Sequence, residues 1–543
     1  MQRGAWWIGL SHKSRKGTAD DSHFPRNPTK SKTIMKPTCI ANRRFFPSLI
    51  AASFGAALIS GTASATSTWV GNTNANWNTG ENWSTAAAPS TGETLVFGTA
   101  GSSGASLNND INGLSIAGIT FNSGGAAYTI SGNQFTLTGG IVDNFVGTQT
   151  INSAIITSGT WSVSQVAGAN TTLGGNLTGN ATLTHVQSGA NGAANSLSFS
   201  GDNSGFTGSF TQNNSSNLRT AFNSANSGSA SATWTFNRNV NGGVALNGIA
   251  GGTIHFGSLS GGAFMRANTA GTTTVSVGAL NTSTTWSGQI NDNGNNNIAL
   301  TKVGSGTLTL TAANSYDGAT TVNGGTLDVT TGTITNSAVT ANNTGTLKLA
   351  TSKTIAGLTV TAGGTAQFAG GETITNNAAL TGAAAKLDLL NGTMDTVSIN
   401  GTTGLTLGGA TGTDTAVLKL DVGVTADKLA VASGLTVDAG GASIQINNLG
   451  ISAGQNYPLI TFASGSGAGF TTGTGTTVGA LSLANPSLSF GVSGQLEVTA
   501  TGVNLVTTGA TPPAAAYWSG SIGSAWNSTT GSNANFTTTA AGG

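Results

Sequence analysis

Charge is what this sequence has least of. Only 7% of the 543 residues are Asp, Glu, Lys or Arg, against roughly a quarter in an ordinary globular protein. Soluble helices carry Glu, Lys and Arg on the faces they turn to water and avoid glycine. Scarce charge together with 82 Gly therefore argues against a helical cytosolic enzyme. Proline is also scarce, at 9, yet 37% of residues are apolar, which argues against disorder. The single cysteine, Cys39, leaves no means of building a disulfide or a Cys-based zinc site. After residue 65 no window holds about 20 uninterrupted apolar residues, so the mature chain is expected to lack a transmembrane helix. In place of these stand Thr, Ser, Asn and Gly, the composition of β-structure whose polar faces carry hydroxyls and amides.

Most of the positive charge sits in a leader. Residues 1–65 hold ten Lys/Arg and two Asp. Within them the pair Arg43-Arg44 precedes an apolar run over 45–59 and then Ala63-Ser64-Ala65. Basic, apolar, small-x-small is the order of a secretory signal, and the run is too short to span a bilayer. Cleavage is expected after Ala65, with Met35 placed where such a signal peptide would start. The whole chain has a formal charge of +1, but residues 66–543 carry 9 basic and 16 acidic residues, a net −7. No basic patch is left that would suit a nucleic acid.

An internal repeat sets the expected fold. Gly306-Thr307-Leu308-Thr309-Leu310 returns as Gly325-Thr326-Leu327-Asp328-Val329, as Gly345-Thr346-Leu347-Lys348-Leu349 and as Gly364-Thr365-Ala366-Gln367-Phe368, at steps of 19, 20 and 19 residues. Degenerate copies are Ile254-His255-Phe256, Val275-Ser276-Val277, Leu387-Asp388-Leu389, Leu405-Thr406-Leu407, Leu418-Lys419-Leu420 and Leu435-Thr436-Val437. Each copy alternates apolar and polar residues between Gly and Asn turn signals, the pattern of a short strand. A unit of that length cannot bury its apolar side alone and must stack on its neighbours. The expected fold is all-β, a single-stranded parallel β-helix (β-solenoid) of roughly 20-residue coils. Roughly 20 such coils at ~4.8 Å would stack over about 100 Å. A hairpin-built sandwich would need more regularly placed Asn-Gly turns than occur.

Residues 300–329 carry a resemblance as well. Lys302-Val303-Gly304-x-Gly306-Thr307-Leu308-x-Leu310, Asn314-x-Tyr316-x-Gly318 and Gly324-Gly325-Thr326-Leu327 resemble the autotransporter-associated β-strand repeat. The resemblance implies a right-handed parallel β-helical passenger, at the cell surface, in the outer membrane or outside a Gram-negative-type bacterium. It implies no catalytic residues. Adhesion or an extracellular structural role is expected, with extracellular polysaccharide or other cell-surface components as partners.

A longer-range echo pairs Trp69-Val70-Gly71, Trp77 and Asn82-Trp83 with Trp518-Ser519-Gly520, Trp526 and Asn535-Phe536. The expected organisation is therefore a leader over 1–65, a β-helical region over 66–510, a Pro/Ala linker over 511–516, and the start of a second module over 517–543. Trp69, Trp77 and Trp83 suit either a cap on the end of the helix or a stacking platform for sugars. The barrel or sorting tail with which this family often ends is not seen before Gly543. Export and anchoring are then expected to use other proteins, or the sequence is truncated.

Parallel β-helices also carry lyases and hydrolases, so carboxylates need a test. In apolar-x-apolar strands the middle residue points out, giving an expected outward row of His255, Ser276, Thr309, Asp328, Lys348, Gln367, Asp388, Thr406 and Lys419. Asp328 and Asp388, three coils apart, would be about 14 Å from each other, too far for a glycosidase pair. Asp328 and Lys348 are expected to be neighbours and to form a solvated ion pair. The short stretches 291–294 and 388–395 contain oxygen ligands but fit no calcium-loop spacing and are expected to be turns. The sequence thus points to no catalytic residue, cofactor or metal. A carbohydrate-active enzyme with its acids in loops, or a glycan-binding module, is the alternative.

Overall fold

The computed structural model describes residues 64–188, 195–213, 218–237, 243–489 and 491–509, plus the strand pair Tyr517–Trp518 and Phe536–Thr537. These belong to one compact unit, Ala63–Gly543. The expected leader up to residue 63, the linker, and all but that strand pair of the expected second module lie outside the described residues.

Strand alternation builds the architecture. In Thr307–Leu310 and Thr326–Val329 the leucines and valine turn inward while the threonines and Asp328 turn out. Each strand hydrogen-bonds in parallel to its equivalent one coil later, so Leu308, Leu327, Leu347, Ala366 and Leu387 stack in one column at steps of 19, 20, 19 and 21 residues. The result is a parallel β-solenoid of about 15 turns with a continuous apolar interior. The Gly-Thr phrase gains a reason here. Thr307, Thr326, Thr346 and Thr365 form a directly stacked column, and cross-strand threonine pairs contribute roughly 0.2–1 kcal/mol each.

The turns are fewer than the repeat suggests, for two reasons. Coils elsewhere are longer: Ile141 to Val163 is 22 residues, Leu183 to Phe210 is 27 and Leu387 to Leu418 is 31. In addition, Leu387-Asp388-Leu389 and Leu405-Thr406-Leu407 are two sides of one coil. Leu387 stacks on Ala366, whereas Leu405 stacks on Ala378.

The far end changes pattern. Strands Asn456–Thr461, Val492–Val498 and Gly502–Gly509 pair antiparallel. The turn 499–501 between the last two is far too short for a parallel crossover, which takes a dozen or more residues.

Candidate functional site

The outward surface holds two stacked rows of side chains where the sequence suggests one. Thr309, Asp328, Lys348, Gln367, Asp388 and Lys419 stack in a single row. His255 and Ser276 belong to another, which continues through Thr301, Thr321, Thr340, Thr359, Ala379 and Thr406. Asp328 and Lys348 are direct neighbours as expected, but they are not joined as an ion pair. Asp328 Oδ1 instead accepts the Thr330 backbone N–H (2.9 Å) and hydroxyl (2.7 Å), an Asx-type turn that turns the carboxylate toward its own strand end. The ion pair in this row is Lys419 with Asp388, at 3.6 Å. Three parallel steps separate Asp328 from Asp388, so this row supplies no carboxylate pair of glycosidase spacing.

The residues that make 300–329 distinctive face the other way. Asn314 is buried and ties three coils together. Its Oδ1 accepts from Ile290 N–H at 2.9 Å, and its Nδ2 donates to the carbonyls of Ala312 and Thr333, both at 3.0 Å. Lys302 is buried too, and its ammonium donates to the carbonyls of Val303, Gly304 and Gly324 at 2.7, 3.0 and 3.1 Å. Burial pushes Lys302 down to about 8. The Tyr316 hydroxyl meets Thr320 Oγ1 at 2.7 Å, which meets Ser337 Oγ at 2.8 Å. Gly318 and Gly306 pack against neighbouring backbone: a Cβ on them would lie 2.1 Å from Ile298 O and 2.3 Å from Thr282 O. Gly304 and Gly325 adopt left-handed φ values of 69° and 60°, which only glycine adopts freely.

Residues 300–329 match the family model described as Passenger-associated-transport-repeat. The match covers the segment just described, in which the signature polar residues are clips between coils. The chain matches no curated protein.

Trp69, Trp77 and Trp83 are buried and packed on one another at the first described coil. Ring centroids of Trp69 and Trp83 are 5.2 Å apart, and Trp77 lies 6.0 Å from both Trp83 and Phe97. Trp83 Nε1 donates to the Trp77 carbonyl at 2.8 Å. Beneath them, fully buried Asn82 holds the entering loop. Its Oδ1 accepts from the backbone of Thr73 (2.9 Å) and Asn74 (3.3 Å), while its Nδ2 donates to Asn74 Oδ1 (3.0 Å) and Asn76 O (2.9 Å).

A polar chain runs inside the solenoid, and sequence reasoning missed it. Gln212 Nε2 donates to Thr220 Oγ1 (3.0 Å), which lies 3.4 Å from His185 Nδ1. His185 Nε2 meets Gln165 Oε1 at 2.7 Å, and Gln165 Nε2 donates to Thr171 Oγ1 at 3.0 Å. Thr171 donates to Asp143 Oδ2 at 2.8 Å. Because Gln165 Nε2 also donates to Ser196 O, its Oε1 is the acceptor, which assigns the proton to His185 Nε2. Every donor then points toward Asp143. Burial pushes Asp143 up to about 6, against the opposing bond from Thr171, and holds His185 down to about 3. The signal was legible: Asp143, Gln165, His185 and Gln212 each fall two residues after an inward apolar residue, Ile141, Val163, Leu183 and Phe210.

Carboxylates gather at a second place. Glu372, Asp421 and Asp427 are each fully buried, beside half-buried Asp395. Their oxygens are taken by the chain itself. Glu372 accepts from Ala369 and Gly370 N–H, Asp421 from Asn391 and Gly392 N–H, and Asp427 from Asp395 and Asp421 N–H. Burial raises Glu372, and pushes Asp427 up to about 6 with Asp421 and Asp395 adding repulsion. Only Asp395 of the four reaches solvent. Among the described residues no group of three or more His, Cys, Asp or Glu could hold a metal ion, and no helix is long and apolar enough to cross a membrane.

Proposed function

We propose that this chain is an exported β-solenoid passenger, displayed at the surface of a Gram-negative-type bacterium, whose role is adhesive or structural rather than catalytic. The observation that carries this reading is the use made of the matched repeat. Lys302 and Asn314 are turned inward and join coils, and buried Tyr316 meets Thr320, which in turn meets Ser337 of the next coil. Of the two outward rows one is mostly threonine, and the other carries Asp328, Lys348, Asp388 and Lys419 with no two carboxylates adjacent. Support for a non-catalytic role comes from the carboxylates: three of the four that cluster, Glu372, Asp421 and Asp427, are buried and bonded to backbone N–H, and those in the open row are three coils apart. In this reading the Trp69, Trp77 and Trp83 cluster closes the N-terminal end of the solenoid, since its rings cover one another and offer no open face to a sugar. The antiparallel strands over 456–509 cover the other strand edge, as terminal units of a stacked array must.

The runner-up, a carbohydrate-active enzyme, is decided by a turnover screen. Purified chain incubated with neutral and acidic polysaccharides should release neither reducing ends nor unsaturated products. Release that disappears in Asp395→Asn would overturn the non-catalytic reading.

A further inference from the structure

The arginines are distributed unlike the other charges. After residue 65 there are three, Arg219, Arg238 and Arg266, and between Asp143 and Asp292 the only acidic residue is Asp202. This stretch is thus positive within an otherwise acidic mature chain.

Two of the arginines share one outward face. In strand Leu218–Phe222, Thr220 and Phe222 turn inward, so Arg219 and Ala221 turn out. Ala221 stacks on Ala245, and Ala245 on Arg266, in the neighbouring strands Val244–Leu246 and Met265–Ala267. The two outward alanines lie between the arginine positions and are covered, at 2% and 1% exposure. The guanidiniums are close enough that Arg266 lowers the Arg219 pKa, second to burial. Nε of each is buried and lacks a hydrogen-bond partner. The nearest acids in sequence are committed elsewhere. Asp202 accepts from Ser204 N–H, and Asp292 from Ile298 and Asp317 N–H. Two like charges held together with unmet donors call for an anion.

We propose that this face binds a polyanionic glycan, with Arg219 and Arg266 sharing a carboxylate or sulfate group of the sugar chain. Hydroxyl and amide groups stand in register beside each arginine, Ser196 next to Arg219 and Asn291 next to Arg266, suited to sugar hydroxyls. A membrane surface fits less well. Among the described residues the exposed large apolar side chains are Val142, Val146, Ile156, Leu390, Val424 and Leu449, and none lies on these three strands. The proposal deepens the adhesive reading above and rests on it for its biological setting only.

The test uses the purified full chain and immobilised polygalacturonate and heparin, with neutral dextran, inorganic sulfate and phosphatidylglycerol vesicles as comparison arms. Either polyanion should be bound, increasingly weakly with added salt, and dextran should not. The double variant Arg219→Gln/Arg266→Gln should weaken binding at least about tenfold, with its melting curve unchanged. Arg219→Lys/Arg266→Lys, which keeps charge without the fork, should fall between, and Lys348→Gln/Lys419→Gln on the other row should bind as the parent does. Binding unaffected by the Gln pair overturns the proposal. So does inorganic sulfate held as tightly as the polymers, or capture of vesicles in place of glycans. Glycan cleavage would instead overturn the non-catalytic reading while leaving this site in place.

Discussion

At the scale of single residues, the buried polar groups of the first coils make opposing contributions to stability. Asp143, pushed up to about 6 from roughly 3.9 in an unfolded chain, holds its proton more tightly when folded. Its contribution is complete below about pH 4 and is lost as pH rises through about 6. His185, held down to about 3 from roughly 6.5, behaves the other way. Its contribution is complete above about pH 6.5 and is lost as pH falls toward 3. Between about pH 4 and 6 the two slopes cancel. Relative to the parent, Asp143→Asn should therefore gain stability with rising pH by up to about 1.4 kcal/mol per unit in that window, and His185→Gln should show the opposite slope. Urea titrations at several pH values would reveal this, and parallel curves for all three proteins would contradict it. Asn82 gives a simpler case. Asn82→Ala removes the hydrogen bonds that hold the entering loop, leaves a buried gap and should cost about 1–3 kcal/mol, whereas Asn78→Ala, at an exposed side chain, should stay within about 0.5 kcal/mol. Trp77→Ala should lower stability by about 3–5 kcal/mol through the cavity it leaves.

At the scale of the coil, hydrogen bonds along the strands fix the spacing, and polar clips from within help to fix the register. Asn314→Ala should destabilise the protein by about 2–3 kcal/mol and speed hydrogen exchange at the Ile290 amide, whose acceptor it removes. Exchange at Ile290 as slow as in the parent would rule out the clip. Gly318→Ala should destabilise as well, because its Cβ would meet the Ile298 carbonyl at 2.1 Å and the backbone must move. The coil was readable in the sequence where its length is constant. The column from Leu308 to Leu387 and the adjacency of Asp328 and Lys348 follow from period-2 alternation at 19- to 21-residue steps. It is not readable where a second strand of the same coil shows the same pattern, as Leu405-Thr406-Leu407 does within the coil of Leu387-Asp388-Leu389. The Asp328–Lys348 ion pair failed for a local reason. Thr330, two residues on, offers Asp328 two donors with no entropic cost of extending a lysine across the gap, and exposed pairs contribute only about 0–1 kcal/mol. The antiparallel end was signalled by two alternating stretches, 492–498 and 502–508, around a short turn.

At the scale of the whole solenoid, low charge and high glycine have one origin. A stacked coil needs close backbone approach at its corners and short polar side chains on its faces, which glycine and threonine supply. Within residues 66–543 the charge that remains is segregated along the sequence, with the three arginines between 219 and 266 and most acids and all six lysines after residue 291. Those lysines make the central claim directly testable, because they differ in access. Lys348 is exposed, Lys353, Lys386, Lys419 and Lys428 are half-exposed, and Lys302 is buried. Intact cells expressing the chain should be treated with an amine-reactive reagent that does not cross membranes, and the labelled peptides sequenced. A surface-displayed solenoid predicts modification at Lys348 and the half-exposed lysines on unbroken cells, with Lys302 protected. Labelling of these lysines only after the cells are lysed would contradict it.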